Sequence, residues 1–270
     1  MSKQEGRLFP ALLRHWRGRR GLSQLDLAVA AEISSRHLSF LETGRAQPSR
    51  EMILRLGSTL DVPLRDQNEL LRAAGHPPAF AEPRPATELP KAITAALARM
   101  SAVHEPFPLT VLDRGYDVVG QNAAATRLLG RFVAEPAALP ERINVFALLF
   151  DPRLARPFIV DWERVARAMV ARLHREALIG SDAALEGLLR TLLNYPGVPE
   201  SFRQPDLSAP LEPAFTLRLR RDDVTLAFMT TVTAFSAPGN VTLEELRIES
   251  YYPLDDETAE ACERWRQEDS

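Results

Sequence analysis

Residues Leu22–Pro48 read LSQLDLAVAAEISSRHLSFLETGRAQP, and this stretch decides the architecture of the N-terminal part of the chain. Ser23 is a good N-cap, and Leu25, Leu27, Ala28 and Ala31 recur at helical spacing until the pattern stops at Glu32-Ile33. Ser34 then caps a second helix, which places Leu38 and Leu41 on one side and Ser35, Arg36, Ser39 and Phe40 on the other. Gly44 ends that helix where a C′ residue needs positive φ. The expectation is two short helices at a steep angle, a helix-turn-helix.

A second helix that begins Ser-Ser-Arg, with hydrogen-bond donors and a cation in its first turn, suits entry into a major groove N-terminus first. SQLDLA, the Ile33-Ser34 turn, HLSFLETGRAQPS and the Val62-Pro63 stop together resemble the Xre-type helix-turn-helix family of phage and bacterial repressors, over about residues 10 to 75. The resemblance implies a five-helix, lambda-repressor-like domain that binds double-stranded DNA. It also implies a phosphate contact from Gln24, base-facing side chains at Ser35, Arg36 and Phe40, and Thr43 to Arg45 along the DNA backbone, with Ser34 and Ser39 as further DNA-binding candidates. It further implies that Arg17 pairs with Glu42, locking the first helix onto the second helix of the motif. One departure is Glu32, which occupies a turn position where the family usually has Gly because the backbone is left-handed; this costs roughly 1 kcal/mol.

Around the motif, Phe9–Arg20 is expected as a first helix with Leu12, Leu13 and Trp16 in its apolar stripe, ended by Gly21. Ser49 caps a fourth helix to Leu60, and Leu64–Ala74, ended by Gly75, makes a fifth. Residues 1 to 50 hold nine Lys or Arg, Lys3 and Arg7 among them, against four acids including Glu5; this net +5 leaves −8 for the rest of a chain whose total is −3. A basic end on an acidic body is expected where one domain alone meets phosphate.

His76–Pro90, HPPAFAEPRPATELP, carries five prolines in fifteen residues and excludes regular structure. The expected organisation is therefore a DNA-binding domain over 1–76, a semi-rigid linker over 77–90 and a second domain over 91–270. With 270 residues and 45% hydrophobic content, two cores can be filled.

The second domain begins with a helix over Lys91–His104. Leu109–Asp113 and Tyr116–Val119 follow as a hairpin about Arg114-Gly115, and Asn122 caps a helix that Gly130 should end. Helices are expected over Ile143–Phe150, Trp162–Leu178 and Ser181–Asn194, then a loop over Tyr195–Pro213. Period two takes over at Phe215, Leu217 and Leu219, at Val224–Val232 and from Leu246, giving an antiparallel meander turned at Arg221-Asp222-Asp223. Asp255–Gln267 closes the chain as an acidic helix. The fold class expected is α+β.

The wording VLDRGYDVVGQNAAATRLLG resembles a PAS-like domain, and the order of elements with YYPLDDETAEA near the end resembles the ligand-binding domain of the MmyB-like transcription regulators. That resemblance implies a PAS-like antiparallel sheet with inserted helices and a long-chain fatty acid or similar amphiphile in an apolar cavity. The lining expected is Phe146, Phe150, Phe158, Trp162, Met169, Leu188, Leu192, Phe228 and Tyr251, with Arg153 or Arg156 as the cation for a carboxylate head. Where this family often has a His-Pro-containing turn between later strands, this chain has Arg221-Asp222-Asp223.

Enzyme chemistry has little footing. His15, His37, His76, His104 and His174 are scattered without a His-x3-His pair, Cys262 is alone, and neither G-x-S-x-G nor a P-loop occurs. Asp222-Asp223 and Asp255-Asp256 fall in expected turns, where Asp bonds locally. No cofactor and no metal are expected. The longest charge-free run, Thr225–Leu243, is too polar to span a bilayer, and no signal-peptide pattern opens the chain, so a soluble cytoplasmic protein is expected. The reading is a homodimeric bacterial transcription regulator with a DNA reader and a small-molecule sensor. Two alternatives stay open: a second domain that only dimerises or binds a protein, and a DNA-tethered enzyme.

Overall fold

The structure is a computed structural model that describes residues 8–81, 89–180, 183–204, 215–235 and 240–268. Lys3, Glu5, Arg7, residues 82–88 of the expected linker, Ser181 and the end of the expected loop at Pro213 lie outside them. The chain divides into two compact units, one made of 1–84 with 237–244 and the other of 85–236 with 245–270.

In the first unit, five helices follow one another: α1 (Leu8–Arg19), α2 (Gln24–Ala30), α3 (Ser35–Thr43), α4 (Arg50–Thr59) and α5 (Leu64–Ala73). Each boundary has a local cause. Ser23, Ser34 and Ser49 accept hydrogen bonds from the backbone N–H three residues on, and Ser23 with Asp26 completes a reciprocal capping box. Gly21, Gly44 and Gly75 take positive φ at helix ends. Glu32 does adopt the left-handed conformation, at φ 55. Leu13, Trp16, Leu27, Leu38, Leu41, Ile53, Leu56 and Leu70 fill one core. Leu25, expected in the buried stripe of α2, is instead 62% exposed, because Leu27 and Ala28 supply the inward face of so short a helix.

The fully buried Asn68 of α5 organises the far end of this unit. Its side chain donates to Phe80 O and accepts from the N–H groups of Ala79 and Phe80, at 2.9, 3.0 and 3.1 Å. Ala81 then bridges Asn240, just before α11 (Val241–Glu245), through a bond from Val241 N to Ala81 O.

The second unit opens with α6 (Lys91–His104) and contains a five-stranded antiparallel sheet of order β2-β1-β5-β4-β3. The strands are β1 (Leu109–Leu112), β2 (Val118–Gln121), β3 (Phe215–Arg221), β4 (Val224–Ala234) and β5 (Arg247–Pro253). Between β2 and β3 lie α7 (Ala123–Arg131), α8 (Val145–Phe150), α9 (Trp162–Gly180) and α10 (Ala183–Leu193), and α12 (Asp256–Glu268) follows the sheet. The fold is α+β, five helices followed by an antiparallel sheet with inserted helices.

Two local expectations change. The left-handed residue of the first hairpin is Tyr116, at φ 66, not Gly115, and β2 starts only at Val118. Its ring is buried against the edge of Phe146, with centroids 4.5 Å apart, and its hydroxyl donates to Glu176, which holds the strained backbone in place. Gly130 does not end α7. The helix runs on to Arg131 and stops at Phe132, whose ring is buried edge-on to Phe158.

Candidate DNA-reading face and ligand cavity

On α3, the Ser34 hydroxyl is occupied in capping His37 N at 3.1 Å. Ser35, Arg36, Thr43 and Arg45 are exposed, and Ser39 and Phe40 are half-buried. The Arg36 guanidinium lies 5.4 Å from the Phe40 ring centroid, a contact that steers the side chain along the outer face of α3. Thr43 donates to Ser39 O at 2.7 Å, and Arg45 N returns to Phe40 O at 2.8 Å around the left-handed Gly44. Gln24 sits at the start of α2 with its amide donating to Glu42 at 2.7 Å.

Glu42 anchors this arrangement. It is buried, and Arg17 of α1 meets it with two bonds, Nε to Oε1 at 2.6 Å and Nη2 to Oε2 at 3.1 Å. Arg17 Nη1 also donates to Leu22 O at 2.8 Å, at the entry to the motif. The pairing pushes the arginine's proton affinity further up. A bidentate guanidinium–carboxylate pair fixes both position and angle, so α1 and α3 are locked together behind the exposed row.

The second unit encloses a cavity of about 920 Å³. One wall is the inner sheet face, where Phe215, Leu217, Leu219, Thr230, Glu249 and Tyr251 alternate inward. α7 contributes Leu128 and Leu129, α8 contributes Val145, Phe146, Leu148 and Leu149, and α9 lays down a flank from Arg164 to Glu176.

Of the residues expected to line it, Phe146, Met169 and Tyr251 do so. The others do not line it. Phe150 is fully buried edge-on to Trp162, whose indole N–H donates to Leu149 O at 2.6 Å. Phe158 meets Phe132, Phe228 is fully buried against Tyr251, and Leu188 and Leu192 on α10 belong to the core between the helices.

The two expected head-group cations are also elsewhere. Arg153 forms a two-point ion pair with Asp151, at 2.7 and 3.1 Å, which holds that carboxyl below its usual range. Arg156 lies 3.6 Å from the Trp162 ring centroid and donates to Phe150 O and Pro196 O, tying two loops together.

Sequence reasoning missed the polar end of the cavity. Glu176 accepts from Tyr116 at 2.7 Å, from Arg172 at 3.1 Å and from Arg247 at 2.8 Å, and Arg247 also lies 4.4 Å from the Tyr116 ring centroid. Burial pushes the Glu249 carboxyl up and outweighs the opposing pull of Arg172 and Arg247. Burial likewise pushes the Tyr116 and Tyr251 phenols up. A signal for this end was present: Arg247, Glu249 and Tyr251 are alternate residues of one strand, so charged groups share a face with a half-buried ring.

Residues 93–264 match the family described as the MmyB-like transcription regulator ligand binding domain. The chain belongs to this family of MmyB-like transcription regulators. Residues 9–71 of the regulator match a helix-turn-helix domain family. The HTH-type transcriptional regulator DdrOP3 of Deinococcus deserti is 40% identical over 77 residues, which are 28% of this regulator and 60% of that protein. The regulator thus spans less than two thirds of that relative's length. An RNA-binding Light-Oxygen-Voltage receptor aligns over 96% of this regulator and 56% of its own chain at 16% identity, with a TM-score of 0.28. Among the described residues, no helix is long and apolar enough to cross a membrane.

Proposed function

We propose that this regulator reads double-stranded DNA through α3 and is controlled by a long-chain amphiphile, fatty-acid-like in its acyl part, held in the cavity of the second unit. The DNA-binding domain is assigned to 1–76 and the ligand-binding domain to 91–270. In this reading Arg36 contacts a base edge, with Ser35 and Ser39 beside it, while Thr43 and Arg45 follow the backbone. The support is geometric: Ser35, Arg36 and Thr43 are exposed on α3 and Arg45 just beyond it, and the other side of the helix is locked by Leu38, Leu41 and the Arg17–Glu42 pair.

The observation that carries the ligand reading is the cavity itself, walled by Leu128, Leu149, Met169, Phe215 and Leu217. Its size lies near the upper end of small-molecule sites, roughly 300–1,000 Å³. A stripe of apolar helices over a sheet face has packed around a space instead of filling it. β4 and β5, which carry Thr230, Val232, Glu249 and Tyr251 of the wall, are joined through 237–244, residues that belong to the first unit. Occupancy that shifts these strands is therefore felt by the connecting segment, and control requires only that DNA-competent and incompetent states differ in ligand affinity.

Titration of the full chain with saturated fatty acids of graded length tests the acyl part. Each buried CH₂ contributes about 0.8 kcal/mol, so two added carbons strengthen binding by up to roughly 15-fold until the cavity is full. Affinity that does not change with length rejects an acyl occupant.

A further inference from the structure

Four of the residues lining the cavity are arginines of one helix: Arg164, Arg167, Arg172 and Arg175 of α9. They form two (i, i+3) pairs eight residues apart, about 12 Å along the axis. The acids in the lining are Glu176 and Glu249, so the lining side chains carry more cations than anions. Arg164 and Arg167 are exposed, and Arg167 is bonded to Glu163 at 2.9 Å. Arg172 and Arg175 are half-buried, where charge interactions are less screened.

The acids at this end are already committed. Glu176 is shared among Tyr116, Arg172 and Arg247. Burial raises the Glu249 carboxyl from its ordinary range against the opposing pull of Arg172 and Arg247. The Arg172 bond to Glu176 is made by Nε, so the terminal nitrogens of its fork are not used in it. Leu128, Phe132, Leu149 and Met169 give the same cavity an apolar lining.

A fatty acid brings one negative charge and a planar head that one guanidinium satisfies. A phosphate monoester brings about −1.5 to −2 at neutral pH and three strong acceptor oxygens, which suits two neighbouring guanidinium forks. Resting on the acyl-cavity reading above, we infer that the ligand is a single-chain phosphorylated amphiphile, of the monoacylglycerol phosphate class, with its phosphate between Arg172 and Arg175 and its chain along Leu128, Phe132, Leu149 and Met169. The exposed Arg164–Arg167 pair lies on the same flank and draws the anion towards the site.

The test is calorimetric titration of the full chain below micelle concentrations with four sixteen-carbon or head-only probes: hexadecanoic acid, 1-hexadecanoylglycerol, 1-hexadecanoylglycerol 3-phosphate and glycerol 3-phosphate. The expected result is at least tenfold tighter binding of the phosphate ester than of the fatty acid, and weak binding of glycerol 3-phosphate. That preference should collapse in both Arg172→Gln and Arg175→Gln. The neutral monoacylglycerol reports whether the cavity of each variant still stands. Fatty acid or monoacylglycerol binding as tightly as the phosphate ester overturns the head-group assignment and leaves the acyl cavity intact. A preference that survives both substitutions overturns the placement at Arg172 and Arg175. Glycerol 3-phosphate binding as tightly as the full amphiphile shows a free-phosphate site and overturns the lipid class. No binding of any acyl probe overturns both readings together.

Discussion

Removing Arg17 should destabilise the first unit far more than an exposed ion pair would suggest. The side chain of Glu42 is 1% exposed and that of Arg17 20% exposed, with two bonds between them of 2.6 and 3.1 Å. Arg17→Met removes both, along with the bond to Leu22 O, and leaves the carboxylate with the Gln24 amide at 2.7 Å. Breaking a buried pair from one side costs about 3–5 kcal/mol, because the remaining charge cannot return to water. An Arg17→Met, Glu42→Leu double replacement removes the stranded charge, so its cost should fall below the sum of the two single changes by at least about 1 kcal/mol. Because the chain holds two units, hydrogen exchange of α1, α3 and α5 amides in the full chain is the suitable assay, reading the opening free energy of this unit alone. For a unit of this size the same loss lowers the midpoint by roughly 12 °C or more. Single substitutions costing under about 1 kcal/mol, or additive effects in the double replacement, would refute the reasoning.

Arg36→Ala should weaken binding to a selected operator by about 1–3 kcal/mol and leave scrambled DNA nearly unaffected, whereas Arg45→Ala should weaken both alike and reduce the salt slope; equal losses for Arg36→Ala on both DNAs reject the base-reading role. Glu32→Gly should stabilise the first unit by roughly 1 kcal/mol, read by the same exchange experiment, because φ 55 suits glycine better. Asn68→Ala should cost several kcal/mol and speed exchange at Ala79 and Phe80, since three hydrogen bonds of a fully buried amide are lost at about 1 kcal/mol or more each. Burial raises the Glu249 carboxyl above its ordinary 4.5, so the folded chain keeps a proton that the unfolded chain has released. Stability is therefore lost as pH rises through the window above 4.5, and Glu249→Gln should raise the thermal midpoint near pH 7.5 with the gain fading at pH 4; an equal gain at both pH values would reject the burial argument.

The first unit was readable because its signals are short-range. Ser23, Ser34 and Ser49 cap within three residues, and Gly21, Gly44 and Gly75 end helices by their own backbone freedom. The Arg17–Glu42 pair spans 25 residues and came only from resemblance, yet its geometry is bidentate, at 2.6 and 3.1 Å. The strands and the first hairpin were legible, but the left-handed position in its turn was not, since Tyr116 takes it through packing against Phe146 and a bond to Glu176, sixty residues away. Cavity lining was the least legible feature. Phe150, Phe158 and Phe228 fill solid core while Phe146 faces the cavity, and apolar residues in a stripe look alike in either role. The readable clues were charges, Glu249 on a strand and Arg164, Arg167, Arg172 and Arg175 along α9.

Operator affinity of the full chain, measured across a titration of the tightest-binding amphiphile, tests whether occupancy of the cavity controls DNA reading. Saturation should shift operator affinity by roughly 5–150-fold, and operator DNA should shift amphiphile affinity by the same factor. Saturable binding in the cavity with operator affinity unchanged at every ligand concentration would contradict the claim.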